Sequence, residues 1–348
     1  MSTPKNRGYA FARGTALVAL CAAAGYFIWR SAQPPIPVLV VETHGAVAGT
    51  LWNRGVWYWI DDAGTPAARL VRSNGGAAVK LAADSGVTDF SVGDTKIAWT
   101  VREGTSWLIK AAAPDGSVPA TVWTGEQEPH GICVAGSRIY WLQQLPPAAR
   151  YAEPLPPLSN TVRLQAVSLT GGAPTSVGDI MEMQGAKVLG EHDGQVYVKL
   201  SRGSLQNVTV IVRVPAAGGA AQRLAAVHGE QDALVSRNGI LYWTAASRES
   251  ADVERVACVA RLSSNGATEW LDDWLPSGGR LCEGADGVYY LGGNVGTGSA
   301  WPIQARRQLP EGFTLPLGFS ALAVGSGEAL VQEPGVAKSA SLYRIPLR

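Results

Sequence analysis

Charge is sparse in this chain. Asp, Glu, Lys and Arg make up 16% of its residues, and 29 basic against 28 acidic side chains leave a formal net charge of +1. Phosphate-backbone binding needs a concentrated basic surface, so nothing argues for a nucleic-acid partner. Histidine is rarer still at 4 residues, methionine has 3 and phenylalanine 5. The four cysteines, Cys21, Cys133, Cys258 and Cys282, make no C-x-x-C pair and stand at no Cys/His zinc spacing. No nucleophile motif, phosphate loop or dinucleotide fingerprint occurs. After Trp29 no useful length of amphipathic helical periodicity is found. What the chain does have is glycine at 41, proline at 21 and tryptophan at 12. So many turn formers, with Trp far outnumbering Phe, imply many short strands and a recurring Trp position.

The N-terminal thirty residues differ from the rest. Lys5, Arg7 and Arg13 precede an apolar run from Gly14 to Trp29, closed by Arg30. That run sits at the short edge of the roughly 17–25 residues of a spanning helix. It is longer than the roughly 7–15 apolar residues of a secretory signal. Tyr26, Phe27 and Trp29 stand at its distal end, where an interfacial aromatic belt belongs. The reading is a signal anchor at 14–30, a cytoplasmic basic segment at 1–13, a Pro-rich linker at 31–36, and an exported domain at 37–348. The positive-inside rule places the N-terminus in the cytoplasm of a bacterial cell and the domain in the periplasm. Cleavage near Ala22-Ala23-Ala24, with secretion, is the alternative. Lipidation of Cys21 is disfavoured, because Leu20 stands where such sites need a small residue. Three cysteines in an exported domain leave at least one unpaired. Small buried hydrophobes are the favoured reading, with a Cys258–Cys282 bridge as the alternative.

The domain repeats itself. The segments AVAGTLWNRGVWYW, GVTDFSVGDTKIAW, EPHGICVAGSRIYW, AKVLGEHDGQVYV, EQDALVSRNGILYW, SGGRLCEGADGVYY and FSALAVGSGEALV each hold a short run, a glycine turn and a second run. They end at Trp59, Trp99, Trp141, Val198, Trp243, Tyr290 and Val331, mostly at the spacing of about 40–50 residues that a four-stranded propeller blade needs. Six further strand-turn-strand units follow them, turning at Gly75-Gly76, Asp115-Gly116, Gly171-Gly172, Gly218-Gly219, Asn265-Gly266 and Glu311-Gly312. Glycine suits these places because tight hairpins need positive φ. The last unit, ASLYRIPLR, lacks a fourth strand, whereas IPVLVVETHG is a strand without partners. Joined, they complete a seventh blade and remove an exposed edge. The expected fold is therefore all-β: a seven-bladed β-propeller of four-stranded antiparallel blades, closed by an N-terminal strand and preceded by an N-terminal transmembrane helix.

The recurring P-x-G-I, D-G or G-S turn, I-Y-W, I-x-R-V-P and G-G pattern resembles exported bacterial propeller repeats of the YWTD and NHL type, over roughly residues 37–348. Streptogramin lyases, whose repeats it also resembles, rely on His and Glu in the channel with a magnesium ion. That resemblance implies a divalent cation near Glu126, Glu128, His130 and Asp232, although no spacing here demands one. Propeller lactonases hold a cation with carboxylate and Asn side chains from several blades, and no such ring is evident.

Aligned on the final residue of each repeat, His130 matches Ala48, Thr88, Lys187, Asp232, Gly279 and Ser320, just before the innermost strand and near the channel mouth. The blades differ here, so His130 has no invariant structural role. The residues singled out as ligand-binding candidates are His130, Asp232, Lys187, Glu128 and Tyr151. No catalytic residue is assigned, and no cofactor is expected beyond that divalent cation. The second-to-third-strand loops at 142–161, 200–207, 244–255 and 292–302 are long and varied, as binding loops on a rigid scaffold are. Leu142, Leu145, Tyr151, Leu155 and Leu158 supply an apolar patch on the first of them. The Asp61-Asp62 and Asp272-Asp273 pairs read as exposed turn residues, and the repeated Trp and Tyr as blade packing. The expected function is a membrane-anchored binding or scaffold module for a protein or cell-envelope ligand. A metal-assisted lyase or lactonase at the channel mouth is the alternative.

Overall fold

A computed structural model describes residues 36–43, 45–81, 84–145, 161–181, 185–202, 208–228, 231–246, 256–263, 266–276, 279–292, 299–302, 313–314, 320–333 and 341–347. The described residues form strands and turns without helix. None of them belongs to a helix long and apolar enough to cross a membrane, and the apolar run 14–29 lies outside them.

The strands assemble into seven four-stranded antiparallel sheets. Six are built from four consecutive strands, as in Val87–Val92, Ile97–Glu103, Ser106–Ala112 and Ala120–Gly125. The seventh breaks the sequence order. Its inner three strands are Ser320–Val324, Glu328–Gln332 and Ser341–Pro346, and its outermost strand is Val38–Glu42 from the other end of the domain. Val38 pairs with Arg344 and Glu42 with Ser341, so the expected closing strand is present.

The inner strands of the seven sheets begin at Ala48, Val87, His130, Gly185, Ala233, Arg280 and Ser320. Each contacts the next, and the last contacts the first, so the cycle closes. Alternation decides what lies between the sheets. A strand presents alternate side chains to its two faces, and in a ring both faces meet a neighbouring sheet, so each must be apolar. Buried clusters fill the seams accordingly. Trp99 and Ile97 pack with Tyr58 and Leu70. Trp141 and Ile139 pack with Ile109 and Val122, and Trp243 with Tyr197 and Ile211. The closing seam holds Trp59, Trp52 and Leu330 with Val40 and Val41 from the N-terminal strand.

The repeated terminal position is fully buried at Trp59, Trp99, Trp141, Val198, Tyr290 and Val331, and nearly so at Trp243. Blade packing is thus its role. The hairpins behave as their residues require. Asp193 and Gly194, with φ of 49° and 68°, link the paired residues His192 and Gln195 in the left-handed conformation of a two-residue turn.

Several sequence expectations change. The inner-to-second-strand pairing continues beyond the buried aromatic, so Leu142, Leu200 and Thr244 belong to strands rather than to loops. Leu142 is fully buried and cannot contribute to an exposed patch. Asp61 is not an exposed turn residue. It is buried at a strand end and accepts hydrogen bonds from Arg69 Nε and Nη2 at 3.2 and 2.9 Å. No disulfide joins Cys258 to Cys282, so that bridge is not formed. Burial pushes the Cys133 and Cys282 thiols up to about 12, and both remain protonated and unreactive at neutral pH.

Candidate functional site

Antiparallel order gives the ring two rims. At one, tight turns join inner to second strands. At the other, inner strands begin and second strands end. His130 opposes Leu142, two residues before the strand ends at Gln144, so the connection beginning at Leu145 leaves from the His130 rim. Connections 203–207, 247–255 and 293–298 follow the ends of the equivalent strands. Tyr151, Leu155 and Leu158 lie outside the described residues. The closing strand enters at the other rim, since Val38 pairs near the Pro346 end of its neighbour.

The strand register defines one equivalent position in every sheet. Ala48 opposes Ile60, Asp89 opposes Thr100, His130 opposes Leu142, Lys187 opposes Lys199, Arg280 opposes Leu291 and Ser320 opposes Gln332. In the fifth sheet the Asp232 carbonyl accepts the Thr244 N–H at 2.9 Å, completing the set. The sequence alignment placed Thr88 and Gly279 here, and both are one residue out. Inner-strand bulges such as the shift between His130 and Cys133 add a residue between rim and aromatic in the first, third, fourth and seventh sheets, whereas the sixth has none and that of the second lies beyond Asp89. Thr88 instead shares a 2.7 Å hydroxyl contact with Thr100. Gly279 donates its N–H at 2.9 Å to the buried Tyr290 hydroxyl, whose pKa burial raises to about 12.

The rim carboxylates hold the ring together. Asp89 Oδ1 accepts the Phe90 N–H at 2.8 Å, and Oδ2 accepts the Ile132 N–H of the next sheet at 3.0 Å. Asp232 repeats this with Ala233 at 2.9 Å and with Leu281 of the next sheet at 2.8 Å. Burial raises the Asp89 pKa, and the two backbone N–H groups with nearby Lys187 and His130 act the other way. Between the fourth and fifth sheets, Lys199 Nζ donates to the Gln231 carbonyl at 3.1 Å and lies 3.7 Å from Asp232 Oδ1. Arg280 reaches across two junctions: Nη2 donates to the Leu322 carbonyl and lies 3.1 Å from Thr50 Oγ1. Desolvation lowers the Arg280 pKa.

His130 and Lys187 are exposed, and Glu128 is partly exposed. Of the five sequence candidates, then, His130 and Lys187 lie together at the rim, while Asp232 is a structural acceptor. Asp89, Lys199 and Arg280 were missed. A signal existed, because VTDF and EQDAL both place Asp before a buried residue of the inner strand. The described residues contain no group of three or more His, Cys, Asp and Glu side chains arranged to hold a metal.

Four-stranded antiparallel sheets joined face to face in a closed cycle define a β-propeller. No protein-family model matches the chain, and no curated protein matches it; the YWTD and NHL resemblance therefore holds as fold alone. Solved structures do match. The Pyrococcus horikoshii acylaminoacyl peptidase superposes with a TM-score of 0.59 at 12% identity, covering 86% of this chain and 51% of that one. The chain thus spans about half of that peptidase. The Vibrio parahaemolyticus oligogalacturonate lyase gives 0.59 at 9% identity, covering 90% and 92%. The propeller domain of the Pyrococcus furiosus Trilobed protease, described as having an open velcro topology, gives 0.55 at 8% identity, covering 89% and 97%. At such identities the likeness concerns fold, which hosts many activities.

Proposed function

We propose that this chain is a binding propeller of seven blades in one ring, whose working face is the His130 rim. The observation that carries this reading is the use made of Asp89 and Asp232. Both carboxylates are engaged by backbone N–H groups of the next sheet, while His130 and Lys187 remain exposed at the same rim. A rigid ring supporting varied connections suits recognition. In this reading the ligand is a protein or cell-envelope component. Residues 14–30 hold the chain in a bacterial inner membrane, with 1–13 cytoplasmic and 37–348 periplasmic. Cleavage after the apolar run would instead secrete the same propeller. The basic flank, apolar run and distal aromatics support the anchor.

Photocrosslinking in intact cells tests the working face. A crosslinker at exposed Gln144, on the His130 rim, should yield a discrete adduct, and one at exposed Asp94, on the other rim, should not. Equal labelling from both positions would sink the assignment. The alternative reading, a metal-assisted lyase or lactonase at the channel mouth, would replace it if titration with magnesium, calcium or zinc found a stoichiometric cation lost in His130→Ala.

A further inference from the structure

The two rims differ in chemistry. At the tight-turn rim Arg54 pairs with Asp94, and Arg237 is held by several sheets. Arg237, from the turn of the fifth sheet, stacks its guanidinium carbon 5.3 Å from the Trp52 ring of the first sheet. Its Nε lies 3.7 Å from Glu283 Oε2 of the sixth sheet, and its backbone N–H donates to Glu283 Oε1 at 2.9 Å. Gly325 of the seventh sheet lies against the Trp52 indole, 2.8 Å from where a Cβ would stand. Residues of the fifth, sixth, seventh and first sheets are thus linked through one cation–π stack with its own counter-ion.

At the His130 rim the carboxylates of the inner-strand starts are occupied. Asp89 and Asp232 are occupied by backbone N–H groups, and Lys199 and Arg280 donate to carbonyls. The Lys187 and His130 side chains make no hydrogen bond or ion pair with the described residues. Their strands abut. Gly131, beside His130, has φ of 58°, and a Cβ there would lie 2.8 Å from Lys187 Cα. Both side chains act electrostatically on Asp89, a carboxylate already engaged by two backbone N–H groups. An exposed ammonium and an imidazole on a rigid backbone, with Asp89 the nearby carboxylate and already so engaged, suit a ligand oxyanion.

We propose that Lys187 and His130 form an anion-binding site at this rim, taking a carboxylate or phosphate group of the ligand. The proposal rests on the reading of this rim as the working face. Calorimetric titration of the purified full chain with inorganic phosphate and with succinate, at low ionic strength, tests it. One saturable site with a Kd on the order of 1 mM is expected, weakened by added salt. Lys187→Glu and His130→Ala should each weaken it about tenfold or more, with unchanged melting because both side chains are exposed. Lys80→Ala, on an exposed outer strand, should leave it intact. Tighter phosphate binding would point to a phosphorylated ligand, and tighter succinate binding to a carboxylate. Absence of saturable binding of both anions, or binding indifferent to Lys187→Glu and His130→Ala, overturns the proposal. If the Gln144 adduct forms and neither anion binds, the working face stands and this inference fails. If neither adduct nor anion binding is seen, both fail.

Discussion

Asp89 Oδ2 accepts the backbone N–H of Ile132 at 3.0 Å, joining the second sheet to the third at the rim where their inner strands begin. The same carboxylate accepts the Phe90 N–H through Oδ1. One side chain therefore satisfies a donor in its own strand and one in its neighbour, which explains why an acid is half-buried at this place.

Replacing Asp89 by Ala leaves both N–H groups unpaired, and a loss of about 2–4 kcal/mol in urea unfolding is expected, since each buried orphan donor costs about 1–3. The pH dependence follows from the direction of the pKa shift. The folded state holds the Asp89 proton more tightly than the ordinary value of 3.8. The contribution of this group is therefore fully present below that value and is lost as pH rises through the raised folded value. Asp89→Asn does not titrate, so wild-type stability relative to it should fall across that interval. A pH series of unfolding midpoints without that relative fall would refute the assignment.

Asp232→Ala should behave as a structural variant. Loss of acceptors for Ala233 and Leu281 should lower stability by about 2–4 kcal/mol. Lys199→Ala, which removes a donor to the Gln231 carbonyl, should cost about 1 kcal/mol. Thermal melting of the two variants is the check. An unchanged midpoint in Asp232→Ala would return this carboxylate to the list of ligand-binding groups.

The repeated tryptophans are not equivalent. Trp99 Nε1 donates to Asp84 at 3.0 Å, and Asp84 also receives Lys110 at 2.7 Å. The Nε1 atoms of Trp59 and Trp141 find no acceptor among the described residues. All three indoles are fully buried, so Trp→Phe removes comparable volume at each. Trp99→Phe should cost about 1 kcal/mol more than Trp141→Phe, the net worth of one hydrogen bond. Equal losses in chemical denaturation would show that the Asp84 contact carries no stability.

The closing strand should be indispensable. A chain beginning at Thr43 leaves the Ser341–Pro346 strand as an open edge and strips Val40 and Val41 from the Trp59 cluster. Open edges template association, so this chain should elute as oligomers in size-exclusion chromatography with light scattering. A chain beginning at Pro37 should remain monodisperse. Monomeric behaviour of the shorter chain would mean that three strands suffice in the last sheet.

Much of the architecture was legible in the residues. The glycine turns, the buried terminal Trp, Tyr and Val, and the N-terminal closing strand follow from period-two alternation and hairpin sterics, which act over a few residues. The rim was less legible. Counting back from each aromatic placed Thr88 and Gly279 where Asp89 and Arg280 stand, because bulges add a residue before the rim in other sheets but not in these two, and spacing alone does not reveal which. Leu142 read as the start of a loop and is core, because its strand continues to Gln144. Asp232 read as a ligand group because its partner, the Leu281 N–H, lies in another repeat.

The sequence by itself determined the strand pattern, the turns and the way the chain ends complete one sheet, since local sterics and a strict repeat leave little freedom. Only the tertiary structure decided which polar side chains are occupied and which are available. Asp89, Asp232 and Arg280 acquire their partners from neighbouring sheets, and Arg237 meets Trp52 only once the ring is closed. A side chain's availability depends on desolvation and on donors distant in sequence, and those are properties of the assembled ring.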